Sequence, residues 1–345
     1  MMKTGRQTNF PGSTGGGLGR PLSIFVILSI LLMLSTFTGA QEQYGICTNM
    51  NTEAISNKVQ ELGVRWIRMT VSWDRSEPRK GTYDWRSPDE EIARAAARGL
   101  KIYITVERTP RWANGNKGTN TPPKDAQDWK DFLRALALHY KNQPAVKAYG
   151  MWNEPNLKEF WNSSQKHYIY TILIPGAIAI KTVDRNLIVA GPELSHHWID
   201  QKDWELSEIL KAGGSYLDVI TQHYYPDSDE KFDHFLDHYM QRDRLGKSVW
   251  ITEFGQVACK KTKCSETNQS RAYWKLLTIQ QSRSAWITRI FPYRIWDPKD
   301  ACGTGGNGFG LAYGDGVQER PAFGTYRDFI AGRPYRDPDP ACSAK

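Results

Sequence analysis

The stretch from Lys101 to Trp152 reads KIYITVERTPRWANGNKGTNTPPKDAQDWKDFLRALALHYKNQPAVKAYGMW. Its ends and its middle follow different periods. Lys101–Val106 (KIYITV) alternates as a strand does, Ala126–Tyr140 has the apolar spacing of a helix, and Val146–Trp152 returns to a strand pattern. A strand, a helix and a strand in that order require parallel pairing, because the crossover returns the chain to the same end of the sheet.

The same rhythm extends in both directions. Upstream lie a short apolar run at Tyr44–Cys47, a helical pattern at Thr52–Leu62, a strand at Val64–Met69 and a helix at Asp89–Arg98 closed by Gly99. Downstream, strand-length runs occur at Leu187–Ala190, Val219–His223, Ser248–Glu253 and Ile287–Tyr293. Helical stretches fall at Gln165–Val183, Trp204–Ala212, Lys231–Leu245, Asn268–Ser282 and Arg320–Ile330. Eight strands, each followed by a helix, predict an α/β protein with a closed (β/α)8 barrel. An open doubly wound sheet fits less well, since no glycine-rich dinucleotide turn follows the first strand. No repeat, linker or second-domain boundary interrupts residues 41–345, so the barrel is expected to occupy all of them.

Residues 1–40 read differently. Lys3, Arg6 and Arg20 are the only charges there, and an apolar run from Leu22 to Phe37 ends in Thr38-Gly39-Ala40. That order describes a secretion signal, with an uncleaved membrane anchor as the alternative. Either way the barrel is expected to be secreted or extracytoplasmic. The 345 residues are 40% hydrophobic and 24% charged, a composition that excludes a small disulfide-stapled module and a disordered chain. Net charge is +8, and +5 without the leader's three cations. No Lys/Arg block appears, so nucleic acid is not an expected partner, and contact with a membrane is expected only through the N-terminal segment.

Five cysteines in an exported chain permit disulfides and leave one thiol over. Proximity suggests Cys259 with Cys264, and Cys302 with Cys342 pinning the tail; Cys47, in an apolar run, reads as a buried thiol. His234 and His238 are four apart, but no third ligand accompanies them, and no CxxC or HExxH string is present. Neither metal nor cofactor is expected.

In a barrel of this kind chemistry gathers at the C-terminal ends of the strands. Arg68, Glu107, Trp152-Asn153-Glu154, Glu193, His223-Tyr224-Tyr225, Glu253 and Trp296 end seven of the apolar runs. Carboxylic acids converging with tryptophans suit sugar chemistry. Retaining hydrolysis of a glycosidic bond needs two carboxyl groups ~5–5.5 Å apart, one acid and one nucleophile. Glu154 and Glu253 are the best pair, each closing a strongly apolar strand. Glu107 and Glu193 are rival acids, suited to holding substrate hydroxyls. Tryptophans in the loops, Trp112 and Trp161 among them, would line a cleft of several subsites, because flat rings match the C–H faces of pyranoses.

Trp152-Asn153-Glu154-Pro155-Asn156 resembles the fourth-strand signature of the glycoside hydrolases of clan A. Ile251-Thr252-Glu253-Phe254-Gly255 resembles their seventh-strand nucleophile segment, His223-Tyr224-Tyr225 their His-x-Tyr, and Arg68 their strand-two arginine. Trp296 falls where the clan has a strand-eight tryptophan, and Gly310-Leu311 with Arg320-Pro321-Ala322-Phe323 resembles its closing segment. Within the clan, WDRSEPRKGTYDW (73–85) and WNEPNLKEFW (152–161) are most similar to family 39, with family 5 the nearest rival. The family 39 β-xylosidases carry an additional β-sandwich for which residues 41–345 leave no room, so a bare barrel acting within a chain is expected.

The resemblance implies that Glu154 is the acid/base and Glu253 the nucleophile, held by Arg68 and Tyr225. Asn153 would bond the sugar 2-hydroxyl, Trp296 would stack under the ring, and His223 would orient its neighbours. The implied activity is retaining hydrolysis of a β-linked polysaccharide or oligosaccharide. A catalytically silent, cell-surface carbohydrate-binding barrel is the alternative reading, and a scaffold with a closed mouth is a third.

Overall fold

Strands form where the sequence carries its apolar runs. The computed structural model describes residues 41–225, 229–258, 264–297, 308–314 and 318–342. Within them β1 (Gly45–Cys47), β2 (Trp66–Ser72), β3 (Lys101–Glu107), β4 (Val146–Met151), β5 (Ile188–Ser195), β6 (Val219–Tyr224), β7 (Val249–Phe254) and β8 (Ile287–Pro292) pair in parallel, in chain order. Parallel bridges from Tyr44 to Ile290 and from Cys47 to Tyr293 join β8 to β1 and close the ring. The crossovers carry α1 (Glu53–Leu62), α2 (Arg86–Ala97), α3 (Ala126–His139), α4 (Ile174–Val183), α5 (Leu206–Gly213), α6 (Asp229–His234) and α7 (Ser265–Ser282), and α8 (Pro321–Ile330) follows β8. The expected leader at 1–40, Cys259 and Cys302 lie outside the described residues. Among the described residues no helix is long and apolar enough to cross a membrane.

The two faces of each strand meet different partners. One side chain from every strand fills the barrel: Cys47, Trp66, Tyr103, Ala148, Ala190, Val219, Trp250 and Phe291. Large rings from β2, β3, β7 and β8 face small side chains from β4, β5 and β6, which lets four aromatics share one plug. Trp66 and Trp250 meet at 5.4 Å, and the Arg289 guanidinium lies 4.3 and 4.6 Å from those two rings. The opposite faces, among them Ile67, Ile102, Ile104, Val189, Ile220 and Ile251, pack under the helices in the main core. Burying each such side chain contributes about 1.5–3 kcal/mol.

Local signals set the helix ends. Thr52 caps α1 by accepting from Ile55 N–H at 3.2 Å, and Asp125 caps α3 by accepting from Gln127 N–H at 2.8 Å. Gly63, with φ 77°, ends α1 in the left-handed conformation that glycine adopts without penalty. The helix expected over 165–183 is helical throughout but widens into a π turn at Ile169–Leu173. Pro175 follows that turn; it has no N–H, and its ring would crowd the carbonyl of Thr171 in a regular α-helix.

Two expectations require correction. β5 does not stop at Ala190. The strand continues through Gly191-Pro192, where it bulges, and resumes pairing through Leu194 to Gln222 and Ser195 to His223. A proline that cannot donate to the ladder is tolerated at such a bulge. The tail is pinned as expected, but by Cys264 with Cys342, 78 positions apart. Arg271 reinforces it by donating to Asp337 at 2.7 Å and to the Cys342 carbonyl. Cys47 is a buried free thiol, donating to the Thr252 carbonyl at 3.1 Å. Burial pushes that thiol's pKa up, which makes it a poor nucleophile.

Candidate active site

Above the aromatic plug the barrel interior turns polar. Arg68 from β2, Glu193 from β5, His223 from β6 and Thr252 from β7 form this layer, all buried. Glu154, just after β4, and Glu253, near the end of β7, open into a cleft of about 760 Å³. Its floor and walls include Arg68, Asn153, Glu154, Tyr225, Glu253 and Trp296, six of the residues singled out in the sequence.

Arg68 organises the layer. Its Nη1 donates to Glu253 Oε1 at 2.6 Å, and its Nη2 to Glu193 Oε2 and Asn153 Oδ1, both at 2.9 Å. Tyr225 donates to the other oxygen of Glu253 at 2.5 Å. Burial, then the charges of Glu253 and Glu154, push the Tyr225 phenol far up, so it remains a donor. His223 lies between the acids, Nδ1 at 2.9 Å from Glu154 Oε1 and Nε2 at 2.8 Å from Glu193 Oε2. One oxygen of Glu154, one of Glu253 and a ring nitrogen of His223 all lie within 4.8 Å of one another. Residues up to 185 positions apart in the chain thus converge at one end of the barrel.

The WNEPN segment is wound tightly. Trp152 and Glu154 have φ of 81° and 40°, conformations that non-glycine residues seldom adopt outside functional sites. The chain holds them there by paired contacts to β5: Glu154 N–H donates to the Glu193 carbonyl at 3.0 Å. Asn156 exchanges two bonds with the Ser195 backbone, at 3.1 and 2.9 Å. The closing segment works similarly on β8. Arg320 donates to Asp297 at 2.6 Å and to the Gly310 carbonyl at 2.5 Å, anchoring the residue after Trp296. A Cβ on Gly310 would stand 2.6 Å from Asp297 N and 2.7 Å from the Trp296 carbonyl carbon, so only glycine fits.

Two expected cleft residues are elsewhere. Trp161 is 1% exposed, with its ring 5.3 Å from Trp152 and its Nε1 donating to the Ser164 carbonyl. Trp112 packs edge-on to Trp73 at 5.9 Å and donates to the Glu77 carbonyl at 2.8 Å. Neither lines the cleft, because the loop aromatics above β2 to β4 bury against each other. Glu193 is also misplaced as a holder of substrate: it is 0% exposed, beneath the cleft. Glu107 does line the cleft, beside Arg108 at 3.2 Å. Burial pushes the Glu107 carboxyl up, more than Arg108 and Arg68 draw it down.

Phe160, expected from its loop to surround the mouth, lines the cleft, and the sequence reading missed Tyr293 and Phe309, which complete its apolar wall. Tyr293 ends the β8 run and was readable by the same strand-end rule as Trp296. Phe309 had no such signal; it reaches the site through a loop, its ring 5.0 Å from Tyr225. His234 and His238 stack at 4.9 Å, but neither lines the cleft.

The model of one family, cellulase (glycosyl hydrolase family 5), matches residues 33–291. The chain belongs to this family. It is thereby a clan A glycoside hydrolase, as the ordered motifs imply. A β-xylosidase of Caldicellulosiruptor saccharolyticus is 34% identical over 37% of this chain and 28% of its own. A probable arabinogalactan endo-β-1,4-galactanase A of Aspergillus tubingensis is 26% identical over 58% of this chain and 65% of its own. The chain therefore spans less than two thirds of the length of either relative. A family 39 β-xylosidase of Caulobacter crescentus superposes with a TM-score of 0.65 at 21% identity, over 84% of this chain and 71% of that one. That likeness is one of fold.

Proposed function

We propose that this protein is a retaining glycoside hydrolase that cleaves a β-linked polysaccharide or oligosaccharide outside the cytoplasm, to which residues 1–40 would direct it. Glu253 attacks the anomeric carbon while Glu154 gives a proton to the departing glycosidic oxygen. Water then attacks the glycosyl–Glu253 ester, passing a proton back to Glu154 and freeing the sugar and the Glu253 carboxylate. The observation that carries this reading is the approach of the two carboxylates within 4.8 Å in one cleft. An inverting enzyme needs roughly 6.5–9.5 Å to seat a water between them.

The neighbours fit their parts. Arg68 and Tyr225 grip the two oxygens of Glu253, which aims the nucleophile. Because Arg68 occupies Asn153 Oδ1, the amide's NH₂ is the group left for a sugar 2-hydroxyl. Trp296, Tyr293, Phe309 and Phe160 offer ring faces to the sugars. The cleft continues across Asn49, Asn51, Thr70, Glu107 and Arg108 into a groove of about 900 Å³. Length beyond one sugar supports action within a chain. The xylosidase and galactanase names of the relatives support β-linked glycans as the class.

The test is product stereochemistry. Proton NMR of a β-glycoside digest is expected to show the β-anomer first, followed by mutarotation. An α-anomer formed first overturns the double displacement. Sizing of products from xylan, galactan, mannan and glucan identifies the chain, and release of monosaccharide alone would overturn internal cleavage.

A further inference from the structure

We propose that Glu193, a carboxylate that never reaches the cleft, is a positioning residue that sets the proton on the acid/base through His223. The inference rests on the reading of Glu154 as that acid/base.

Four donors converge on this one side chain. Glu193 Oε2 accepts from Arg68 Nη2 at 2.9 Å, from His223 at 2.8 Å and from Thr252 Oγ1 at 3.1 Å, and Tyr103 donates its hydroxyl to Oε1. Its backbone N–H is also taken, by Thr221 Oγ1 at 2.8 Å. Such a set suits an ionised carboxylate alone. Burial by itself would raise the Glu193 pKa, but Arg68 and His223 outweigh it and lower it.

An ionised Glu193 dictates the chemistry of the imidazole above it. An acceptor-only carboxylate at Nε2 requires the hydrogen there. Arg68 Nη2 is 3.4 Å from the same nitrogen, and two donors so placed do not bond each other; both point at Glu193 Oε2. Nδ1, facing Glu154 Oε1, is therefore the ring atom that can gain or lose a proton. One proton is shared along that 2.9 Å line, resting on Nδ1 or on Glu154. The His223–Glu154 pair delivers it to the leaving oxygen in the first step and recovers one from water in the second. Without the charge beneath, Nε2 need not hold its hydrogen, and the tautomer with Nδ1–H alone would donate to Glu154 and favour its ionised form over the protonated acid.

The surrounding charges are all accounted for in this arrangement. Facing His223 are Arg68 of β2, Glu154 after β4, Glu193 of β5 and Glu253 of β7, the last at 3.5 Å. Tyr103 faces Glu193, Tyr225 faces Glu253, and Cys47, Glu107 and Tyr293 act at longer range. Burial lowers the His223 pKa, but Glu253 and the bonds to Glu154 and Glu193 raise it to about 9.

Glu193→Gln keeps the shape and removes the charge. The alkaline limb of kcat/KM is expected to move down by about one pH unit or more, since the His223 proton loses its counter-charge. The kcat on glycosides with poor leaving groups should fall at least ~10-fold further than on activated aryl glycosides, with KM within about twofold. An unchanged alkaline limb together with equal losses on both substrate types overturns the proposal. A second measurement does not depend on the variant folding or on any substrate. In ¹⁵N NMR of the parent, the His223 ring, identified by its absence in His223→Gln, should titrate near 9 and hold its hydrogen on Nε2 above that. Titration near the ordinary value of ~6.5, or hydrogen on Nδ1, overturns the role of Glu193 even if no glycoside is hydrolysed.

Discussion

Arg68 and Glu253 stand 185 positions apart in the chain and 2.6 Å apart in the barrel, a guanidinium on β2 joined to the carboxylate that ends the polar part of β7. The same guanidinium holds Glu193 at 2.9 Å, so one cation serves two buried anions. Removing it leaves His223 to supply the counter-charge for both. Arg68→Ala is expected to cost about 3–5 kcal/mol of stability, the range for breaking a buried pair from one side. Urea unfolding measures this, and a loss under about 1 kcal/mol would show the charges to be solvated after all.

Glu253→Ala should abolish turnover, with external azide restoring part of it on activated substrates and giving a glycosyl azide of inverted configuration. Glu154→Ala removes the acid and should lower kcat on poor leaving groups by ~10²–10⁴ while sparing activated ones in the first step. Steady-state kinetics across a series of aryl leaving groups separates the two variants. Parent-like activity of Glu253→Ala would remove it as nucleophile.

The buried layer predicts how stability depends on pH. His223 has its pKa raised to about 9 from 6.5, so its contribution is complete below pH 6.5 and is lost as pH rises through about 9. The fall amounts to about 3 kcal/mol at most. Glu193 has a lowered pKa and acts in the opposite sense, contributing above the ordinary carboxylate range and losing that contribution as pH falls. Urea midpoints taken from pH 5 to 9.5 should decline on the alkaline side, and His223→Gln should flatten that decline. A parent curve already flat from pH 6.5 to 9.5 would contradict the charged imidazole.

Two tryptophans with similar sequence surroundings should behave oppositely. Trp161 is sealed against Trp152 and Tyr168, so Trp161→Ala should destabilise the fold by about 3–5 kcal/mol. Trp296 is half-buried and lines the cleft, so Trp296→Ala should raise KM severalfold and move Tm by only a few degrees. Thermal melts and initial rates on the same preparations distinguish these outcomes.

Much of this arrangement was visible in the order of residues. KIYITV, VKAYGMW and SVWITE are apolar at most of the positions they bury, and the helices show their caps in Thr52, Asp125 and Gly63. Strand periodicity and capping are properties of a few neighbouring residues, so they can be read without coordinates. For the same reason Glu154, Glu253, His223 and Tyr225 were found at or near the ends of strands, and Arg68 on β2 itself.

The rest depended on which distant residues meet. The apolar run at Leu187–Ala190 is too short to show that pairing with β6 carries β5 through a bulge at Gly191-Pro192 and sets Glu193 inside the barrel. Trp112 and Trp161 have the composition of sugar platforms, yet other rings reach them first, and burial of apolar area decides their place. Cys264 had a nearer partner in sequence than Cys342, but the tail folds back on α7. Short-range pattern determined the elements and the ends where chemistry gathers. Closure of the barrel decided depth, since a side chain's exposure depends on partners tens or hundreds of positions away.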